Sequence, residues 1–255
     1  MIVYGRNPVR EALRGRREVR RIWATRNAAR ESWLGGDGGG QDLPGPGTPR
    51  PDGIGSGQVE VSITSAEEVE RRSGSTAHQG VCAEVEPFNY AAAAELLAQP
   101  NPLIVALDQV QDPQNLGSIC RTAECAGATG VVLPERRAAA VTAAVCKASA
   151  GAVEHLAVAR VRNLVDFLGE AKSASLWCYG ADAGAPILYE EADLAGGVVL
   201  VLGSEGRGLR PRVAAACDLL LRIPLRGKIP SLSVAAAAAV LIYAARPGGS
   251  APAAR

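Results

Sequence analysis

The chain has 255 residues, so it holds one large domain or two modest ones and can bury a sizeable core in either case. Its formal net charge of +1, taken as an average, argues against a strongly basic nucleic-acid-binding protein. No apolar run is long enough to span a membrane, and no apolar segment follows the first residues as in a signal peptide, so we expect a cytoplasmic protein without a membrane partner. The six cysteines lack a CxxC pair and only two histidines accompany them, so we expect neither a metal site nor disulfides.

The charge is unevenly distributed, beginning with a strongly basic first segment. Residues 1–34 contain nine arginines and three glutamates, a local charge of +6, whereas residues 58–95 carry −5. Within the basic segment, Asn7 is expected to cap a helix that has Pro8 in its first turn, and residues 19–24 alternate like a strand. The arginines either bind nucleic-acid phosphates or form a solvated helix face.

A segment rich in Gly and Pro, residues 35–57, interrupts this first unit and is predicted to be a flexible loop. Order resumes with an alternating strand over residues 59–63 and a helix that begins with a capping box at Ser65. A further alternating strand falls within residues 78–85. These short elements predict a small α/β domain that ends near residue 90.

Beyond residue 90 the pattern changes to apolar strands separated by helices. A helix over residues 91–98 forms the linker, residues 91–99. Four apolar runs follow that are typical of parallel strands buried on both faces, over residues 103–107, 130–133, 176–179 and 198–202. This alternation predicts a parallel α/β domain over residues 100–246, followed by a disordered tail over residues 247–255.

Three polar clusters follow strands, at the sheet edge where open α/β sheets bind ligands. In residues 108–121, Asn115 is a candidate helix cap and Arg121 lies nearly two turns later, an arrangement that also fits an ordinary capped helix. Residues 203–208, GSEGRG, expose backbone groups, but their spacing and acidic side chain disfavour a phosphate loop and suit a cationic or hydroxyl-bearing ligand, or a plain turn. Residues 223–234 read as a strand, a basic loop and a helix start that Ser231 or Ser233 can cap, which more often means packing than catalysis.

Together the clusters resemble, in order and spacing, the motifs of the SpoU family of SPOUT RNA 2′-O-ribose methyltransferases. The similar stretches are DPQNLGSICRTAECAGATGVVLPE at 112–135, LVLGSEGRGL at 200–209 and IPLRGKIPSLSVAAAAAVLIY at 223–243. A segment at 147–156 also resembles the family. The front of the chain, at residues 3–13 and 78–81, resembles the substrate-binding domain of its 23S rRNA guanosine-2′-O-methyltransferase branch.

This resemblance implies a fold that composition alone does not predict. It implies an α/β C-terminal SPOUT domain with a parallel sheet and a deep trefoil knot, plus a small N-terminal ribosomal-protein-like RNA-binding domain over residues 1–90. It also implies a homodimer that uses S-adenosylmethionine to methylate a guanosine ribose in 23S rRNA. The same chemistry on tRNA, and a non-catalytic RNA-binding or ribosome-assembly protein of this fold, are the alternatives.

The resemblance also assigns site residues. The implied catalytic residues are Asn115, Arg121, Glu205 and Ser233; the implied cofactor contacts are Gly203, Ile223, Leu225, Ser231 and Leu232; and the implied RNA contacts are Arg6, Arg10 and Arg121. Because an arginine stays protonated, we expect Arg121 to orient the ribose and an RNA phosphate and to stabilise the developing alkoxide. Ser233 stands where the family usually has Asn, a shorter polar group that either works through a water or lowers activity.

Overall fold

The structure is a computed structural model that describes residues 1–34, 59–229 and 231–245. The predicted flexible loop, residues 35–57, and the predicted tail, residues 247–255, lie outside these described residues. Among the helices in the described ranges, none is both long and apolar enough to cross a membrane. The described chain forms two compact units.

The first unit comprises Met1–Asn89 together with Val141–His155. Its four-stranded sheet has the order β1-β4-β2-β3, in which β4 is antiparallel to β1 and β2, and β3 is parallel to β2. Numbered along the whole chain, its elements are β1 (Ile2–Tyr4), α1 (Arg6–Arg14), β2 (Val19–Ala24), β3 (Glu60–Ile63), α2 (Ala66–Ser73), β4 (Val81–Val85) and α5 (Ala143–Ala148). The strands predicted near residues 19–24, 59–63 and 78–85 are thus confirmed, whereas the short β1 was not predicted.

The two predicted helix starts of this unit have different outcomes. Helix α2 begins as predicted, because the Ser65 hydroxyl accepts a hydrogen bond from the Glu68 N–H at 3.3 Å. The prediction that Asn7 caps α1 is wrong, since the helix begins earlier and Asn7 lies inside it. The N-cap is Gly5, whose φ of 96° is a conformation that glycine adopts far more readily than other residues.

Residues 141–155 lie in the first unit, although the sequence places them in the domain over 100–246. The reason is a buried charge: Arg17 donates from Nε to Glu154 Oε2 at 2.9 Å and from Nη1 to the Glu86 carbonyl at 3.0 Å. The two charged side chains are only 6% and 1% exposed. Cys146 lies beside them, and burial raises the pKa of its thiol to about 12. A buried guanidinium requires such a carboxylate, and in this chain it is supplied from a distant segment.

The second unit comprises Tyr90–Ala140 together with Leu156–Arg255. Its seven-stranded sheet is parallel throughout and has the order β7-β6-β5-β10-β8-β11-β9. Its elements are α3 (Ala93–Leu97), β5 (Leu103–Asp108), α4 (Pro113–Cys125), β6 (Gly130–Pro134), β7 (Ala157–Val161), α6 (Leu164–Ser173), β8 (Trp177–Ala181), β9 (Ile187–Leu188), β10 (Val198–Gly203), α7 (Pro211–Ala216), β11 (Leu219–Arg222) and α8 (Val234–Ala244). The predicted parallel α/β architecture and its four apolar strands are confirmed.

Three strands of this sheet were not predicted. Strand β7 is interrupted by Arg160, β9 has only two residues, and β11 has only three apolar residues before Arg222, so each is shorter than the four predicted apolar runs. The strand expected at the start of residues 223–234 lies instead just before that segment, as β11.

The order of the strands creates a crevice at one edge of the sheet. After β5 the chain builds β6 and β7 on one side, and after β7 it crosses to form β8 on the far side of β10. Strands β5 and β10 are therefore neighbours at the point where the strand order reverses, and Gly203 pairs with Asp108 at their carboxyl ends. Ligands of open α/β sheets bind at such a point.

Candidate active site

A tight turn of glycine-rich chain leaves the end of β10. Within this glycine turn (residues 203–208), Ser204 and Gly208 exchange two backbone hydrogen bonds, of 3.2 Å and 2.9 Å. A Cβ atom at position 203 would overlap the carbonyl group of Gly208 and the backbone nitrogen of Leu209. Glycine is therefore required at 203 by close approach of the backbone, and the turn presents main-chain polar groups to the crevice.

The glycine turn forms one wall of a first cavity of about 240 Å³. All five residues that the resemblance assigns to the cofactor line this cavity: Gly203, Ile223, Leu225, Ser231 and Leu232. They come from β10 and from the segment between β11 and α8, which are distant in sequence. Leu225 and Leu232 are 38% and 43% exposed, so the cavity has an apolar mouth. Its described lining also includes two carboxylates, Asp182 and Glu205, and no basic side chain.

Helix α8 closes the cavity from the other side, and Glu205 connects it to the glycine turn. The Val234 N–H, at the first position of α8, donates to Glu205 Oε1 at 3.3 Å. This carboxylate satisfies one of the unpaired N–H groups at the helix start and places negative charge at the positive end of the helix dipole. Glu205 thereby fixes the relative position of the two elements that line the cavity.

Ser233 serves as the N-cap of α8. Its hydroxyl oxygen accepts a hydrogen bond from the Ala236 N–H at 3.2 Å, and the side chain lies outside the linings of both cavities described here. Of the two serines expected to cap this helix, Ser233 does so, while Ser231 lines the first cavity. The structure therefore gives Ser233 a helix-capping contact, and it does not bring Ser233 to the cavity wall.

A second cavity, of about 340 Å³, adjoins the first and shares Ser204, Glu205 and Val234 with it. It is more polar, and its lining includes Asn115, one of the predicted catalytic residues. Five further polar residues of this lining were not assigned a site role from the sequence, namely Gln109, Gln111, Asp112, Ser204 and Arg207. Their positions directly after the ends of β5 and β10 are the signal that could have identified them.

Asn115 and Arg121 both lie on α4, but only Asn115, near the start of the helix, lines a cavity. The prediction that Asn115 caps this helix is wrong: Asp112 is the N-cap, and its carboxylate accepts from the N–H groups of Gln114 and Asn115 at 3.1 Å and 3.4 Å. Arg121 lies further along α4, exposed, and lines neither cavity. The structure thus brings Asn115 and Glu205 together around the second cavity and leaves Arg121 outside it.

The predicted RNA contacts of the first unit, Arg6 and Arg10, are engaged in partly exposed ion pairs. Arg6 Nη1 lies 2.7 Å from Glu31 Oε1, and Arg10 Nε lies 2.9 Å from Glu11 Oε1. Burial acts to raise the pKa of Glu11. Its hydrogen bonds with His155 and Arg10, together with the positive charges of Arg14 and Arg10, outweigh burial and lower that pKa below its usual value. Both guanidinium groups remain more than a third exposed, so they can exchange a carboxylate for an RNA phosphate.

All six cysteines are free thiols. Burial raises the pKa of Cys178 and of Cys217 to about 12 in the second unit, so both stay protonated at neutral pH and are poor nucleophiles. In the part of the chain that the structure describes, no three His, Cys, Asp or Glu side chains form a group that could hold a metal ion. The described residues that line the two cavities offer amide, carboxylate, guanidinium, hydroxyl and main-chain groups.

Family comparisons identify related proteins over both units. The model of the SpoU rRNA Methylase family matches residues 102–243, and that of the RNA 2′-O ribose methyltransferase substrate-binding domain matches residues 2–34. An uncharacterised tRNA/rRNA methyltransferase of Synechocystis sp. is 37% identical over 249 residues, which cover 95% of this chain and 61% of that protein. The Bacillus subtilis protein YacO, assigned to the TrmH family of tRNA/rRNA methyltransferases, is 43% identical over 171 residues, or 65% of this chain and 69% of YacO.

Among solved structures, an AdoMet-bound rRNA methyltransferase from Sinorhizobium meliloti has a similar fold. The TM-score is 0.74, and the match covers 96% of this chain and 86% of that chain at 24% sequence identity. At this level of identity the likeness establishes the fold of the chain. The chain spans 61% of the length of the Synechocystis relative, so the relative has additional sequence that this chain does not match.

Proposed function

Because the chain belongs to the SpoU rRNA methylase family, we propose that it transfers a methyl group from S-adenosylmethionine to a ribose 2′-hydroxyl of RNA. The observation that carries this proposal is the convergence of motifs at one edge of the sheet. Residues assigned to the cofactor line the first cavity, and Asn115 and Glu205 line the second cavity beside it. A donor site and an acceptor site that share a wall are what group transfer requires.

The first cavity suits the proposed cofactor. It combines apolar walls, main-chain polar groups and two carboxylates with no basic side chain among its described residues, a lining that favours a cationic nucleoside. S-Adenosylmethionine supplies an electrophilic methyl group on a positively charged sulfur. The proposed contacts with this cofactor are the five residues that line the cavity, namely Gly203, Ile223, Leu225, Ser231 and Leu232. The related Sinorhizobium meliloti structure is AdoMet-bound, which supports this choice of cofactor.

The second cavity is the proposed site of the acceptor ribose. Asn115 offers an amide that both donates and accepts, and Glu205, already bound to the start of α8, accepts from a ribose hydroxyl. Arg121 lies outside the cavity on the exposed face of α4, a position suited to an RNA phosphate next to the target nucleotide. Its remaining role, stabilising the developing alkoxide, requires the guanidinium to move towards the cavity when RNA binds.

Ser233 is compatible with an active site even though the resembled family usually has Asn here. Serine and asparagine are both strong N-caps, so the replacement keeps the hydrogen bond that starts α8. Since α8 forms a wall of the first cavity, this cap supports the shape of the cavity. The methyl-transfer assay decides between catalysis and the alternative of a protein that kept the fold without activity.

The first unit is the proposed RNA-binding unit, with Arg6 and Arg10 among its phosphate contacts. Its residues 2–34 match the substrate-binding family model and include most of the positive charge of that unit. Arg16, Arg26 and Arg30 form no ion pair with any residue in the described ranges, so phosphates can reach them without displacing a carboxylate. We further propose guanosine in 23S rRNA as the target, and a cytoplasmic homodimer with a trefoil knot around the first cavity.

The decisive experiment measures incorporation of tritiated methyl groups into unmodified 23S rRNA and tRNA transcripts, beside calorimetric titration with S-adenosylmethionine. We expect cofactor binding and transfer to 23S rRNA at a single guanosine. Transfer to tRNA alone would support the tRNA alternative, which the names of both relatives leave open. Cofactor binding with transfer to neither RNA would support the non-catalytic alternative.

A second measurement tests the role of Arg121. Arg121→Lys keeps the positive charge but loses the planar fork that orients two oxygens at once. We expect turnover at saturating RNA to fall by about a hundredfold, with cofactor affinity unchanged, because losing one donor to the developing oxyanion of the RNA-bound enzyme costs about that much. Near-normal turnover of the Arg121→Lys variant would contradict the role proposed for Arg121.

The proposed homodimer is tested separately, by measuring the sedimentation of the protein at several concentrations.

A further inference from the structure

A buried carboxylate lies at the end of β5, beside the glycine turn that lines both cavities. Asp108, the last residue of β5, is 0% exposed and pairs with Gly203 across the β5–β10 ladder. It lines neither cavity, and none of the roles assigned above uses it. A fully buried aspartate is unusual and requires a partner that compensates its charge.

That partner is Arg210, which follows shortly after the glycine turn. Asp108 Oδ2 accepts a hydrogen bond from the Arg210 backbone N–H at 2.9 Å, and Oδ1 accepts one from Nε of the same residue at 2.7 Å. The aspartate is fully buried while the arginine side chain is 45% exposed. Both carboxylate oxygens therefore bind one residue, which holds its main chain and its side chain together.

These contacts fasten both ends of the glycine turn to the same strand. The β-ladder fixes Gly203 to the end of β5, and the carboxylate fixes Arg210 to the same point. Between them, the paired backbone hydrogen bonds of Ser204 and Gly208 leave the turn little freedom. Because the turn carries Glu205 and lines both cavities, its shape depends on a residue that touches neither ligand.

We propose that Asp108 is a positioning residue of the methyl-transfer site, which acts through Arg210 to hold the glycine turn in the shape that binds S-adenosylmethionine. The proposal rests on the proposed function and adds to it a determinant of cofactor affinity. It predicts an effect on cofactor binding that is separate from the effect on the chemical step. A buried residue that served only stability would reduce the amount of folded enzyme instead.

The test begins with Asp108→Asn, which keeps the size of the side chain and one oxygen for the Arg210 N–H but removes the charge. We expect both the Kd and the KM for S-adenosylmethionine to rise about tenfold, the loss typical of a charge-assisted hydrogen bond, with kcat at saturating cofactor nearly unchanged. Arg210→Gln should act in the same direction because it leaves the carboxylate buried without its cation. The double variant should bind the cofactor more tightly than Arg210→Gln, since two amides can hydrogen-bond to each other.

The matched control is Asp166→Asn, an exposed aspartate in the first turn of α6, which should leave the Kd unchanged. A wild-type Kd in Asp108→Asn, or a lower kcat and melting temperature with an unchanged KM, would overturn the proposal. If Asp108→Asn does not fold, the same titration of Arg210→Gln tests the proposal. The Arg210 side chain is half exposed, so replacing it disturbs the core less than replacing the buried Asp108. A wild-type chain that binds no S-adenosylmethionine overturns the proposed function together with this inference, whereas unaltered affinity in the variants overturns the inference alone.

Discussion

Position 203 shows how a single missing Cβ shapes the candidate site. The backbone of the glycine turn folds back over Gly203 so closely that the carbonyl of Gly208 occupies the space a side chain would need. Strand β10 can therefore end in a turn that exposes main-chain groups instead of a side chain. The first cavity exists because the chain returns on itself at this residue.

We predict that Gly203→Ala destabilises the protein by about 1–3 kcal/mol and abolishes binding of S-adenosylmethionine. The glycine turn has to open to make room for the alanine side chain. Thermal unfolding and calorimetric titration measure the two effects. Gly169→Ala is the control, since this exposed glycine inside α6 has nothing within reach of a Cβ. That control should stabilise the protein by about 0.5–1 kcal/mol through helix propensity, and a Gly203→Ala variant that behaves in the same way would refute the argument.

The capping contact of Ser233 leads to a second prediction for a single residue. Ser233→Ala should lower the free energy of unfolding by about 1 kcal/mol because the Ala236 N–H loses its acceptor, whereas Ser233→Asn should retain wild-type stability. Thermal unfolding of the three proteins separates them. Methyl transfer by Ser233→Asn at or above the wild-type rate is expected, and a large loss of stability in that variant would show that the site needs a hydroxyl.

At the scale of elements, the buried pair of Arg17 and Glu154 holds α5 and its flanking residues within the first unit. Arg17→Met should destabilise this unit by about 3–5 kcal/mol, because it leaves the carboxylate buried without a partner. Hydrogen exchange of residues 141–155 should accelerate accordingly. Arg16→Met, at the exposed neighbouring position, should change little.

A double variant distinguishes the charge from the packing of the arginine side chain. Adding Glu154→Leu to Arg17→Met removes the unpaired carboxylate, so most of the lost stability should return. If the double variant is no more stable than Arg17→Met, the guanidinium acts through its packing over Phe88, whose ring centre lies 5.4 Å away.

The elements that could be predicted from the sequence are those whose pattern is local. Strands β5 and β10 are buried along almost their whole length, so continuous apolar runs reveal them. The caps of α1 and α4 could not be assigned, because Gly5 and Asp112 compete with a nearby Asn at each start. The sequence also did not predict that α5 belongs to the first unit, because that assignment depends on the ion pair between Arg17 and Glu154, which are 137 residues apart.

At the scale of the whole molecule, the near-neutral net charge conceals a basic first segment and an acidic one. We predict that RNA affinity falls steeply with salt, because bound arginines release counterions from the phosphates. Replacing Arg16, Arg26 and Arg30 with Gln should reduce the slope of log K against log salt by about 2 to 3 in a filter-binding titration. Arg71→Gln, in the acidic segment, should leave the slope unchanged, and an unaltered slope in the triple variant would place the RNA elsewhere.

The candidate site was predictable to the extent that its motifs fall at strand ends. The five residues predicted to contact the cofactor meet in one cavity because parallel strands deliver their carboxyl ends to the same edge. The polar residues of the second cavity, such as Gln109, and the clamp between Asp108 and Arg210 join segments far apart in the chain. Their pairing arises from the strand order, which no local pattern specifies.

The discontinuous first unit has a consequence for biosynthesis. Its sheet is complete once the ribosome has delivered β4, yet Arg17 acquires its carboxylate only after Glu154 emerges. At about 5–20 residues per second, translation leaves the guanidinium without the Glu154 carboxylate for several seconds while β5, α4 and β6 are being made. The first unit therefore cannot complete this charge pair until β5 and β6 of the second unit have already been synthesised.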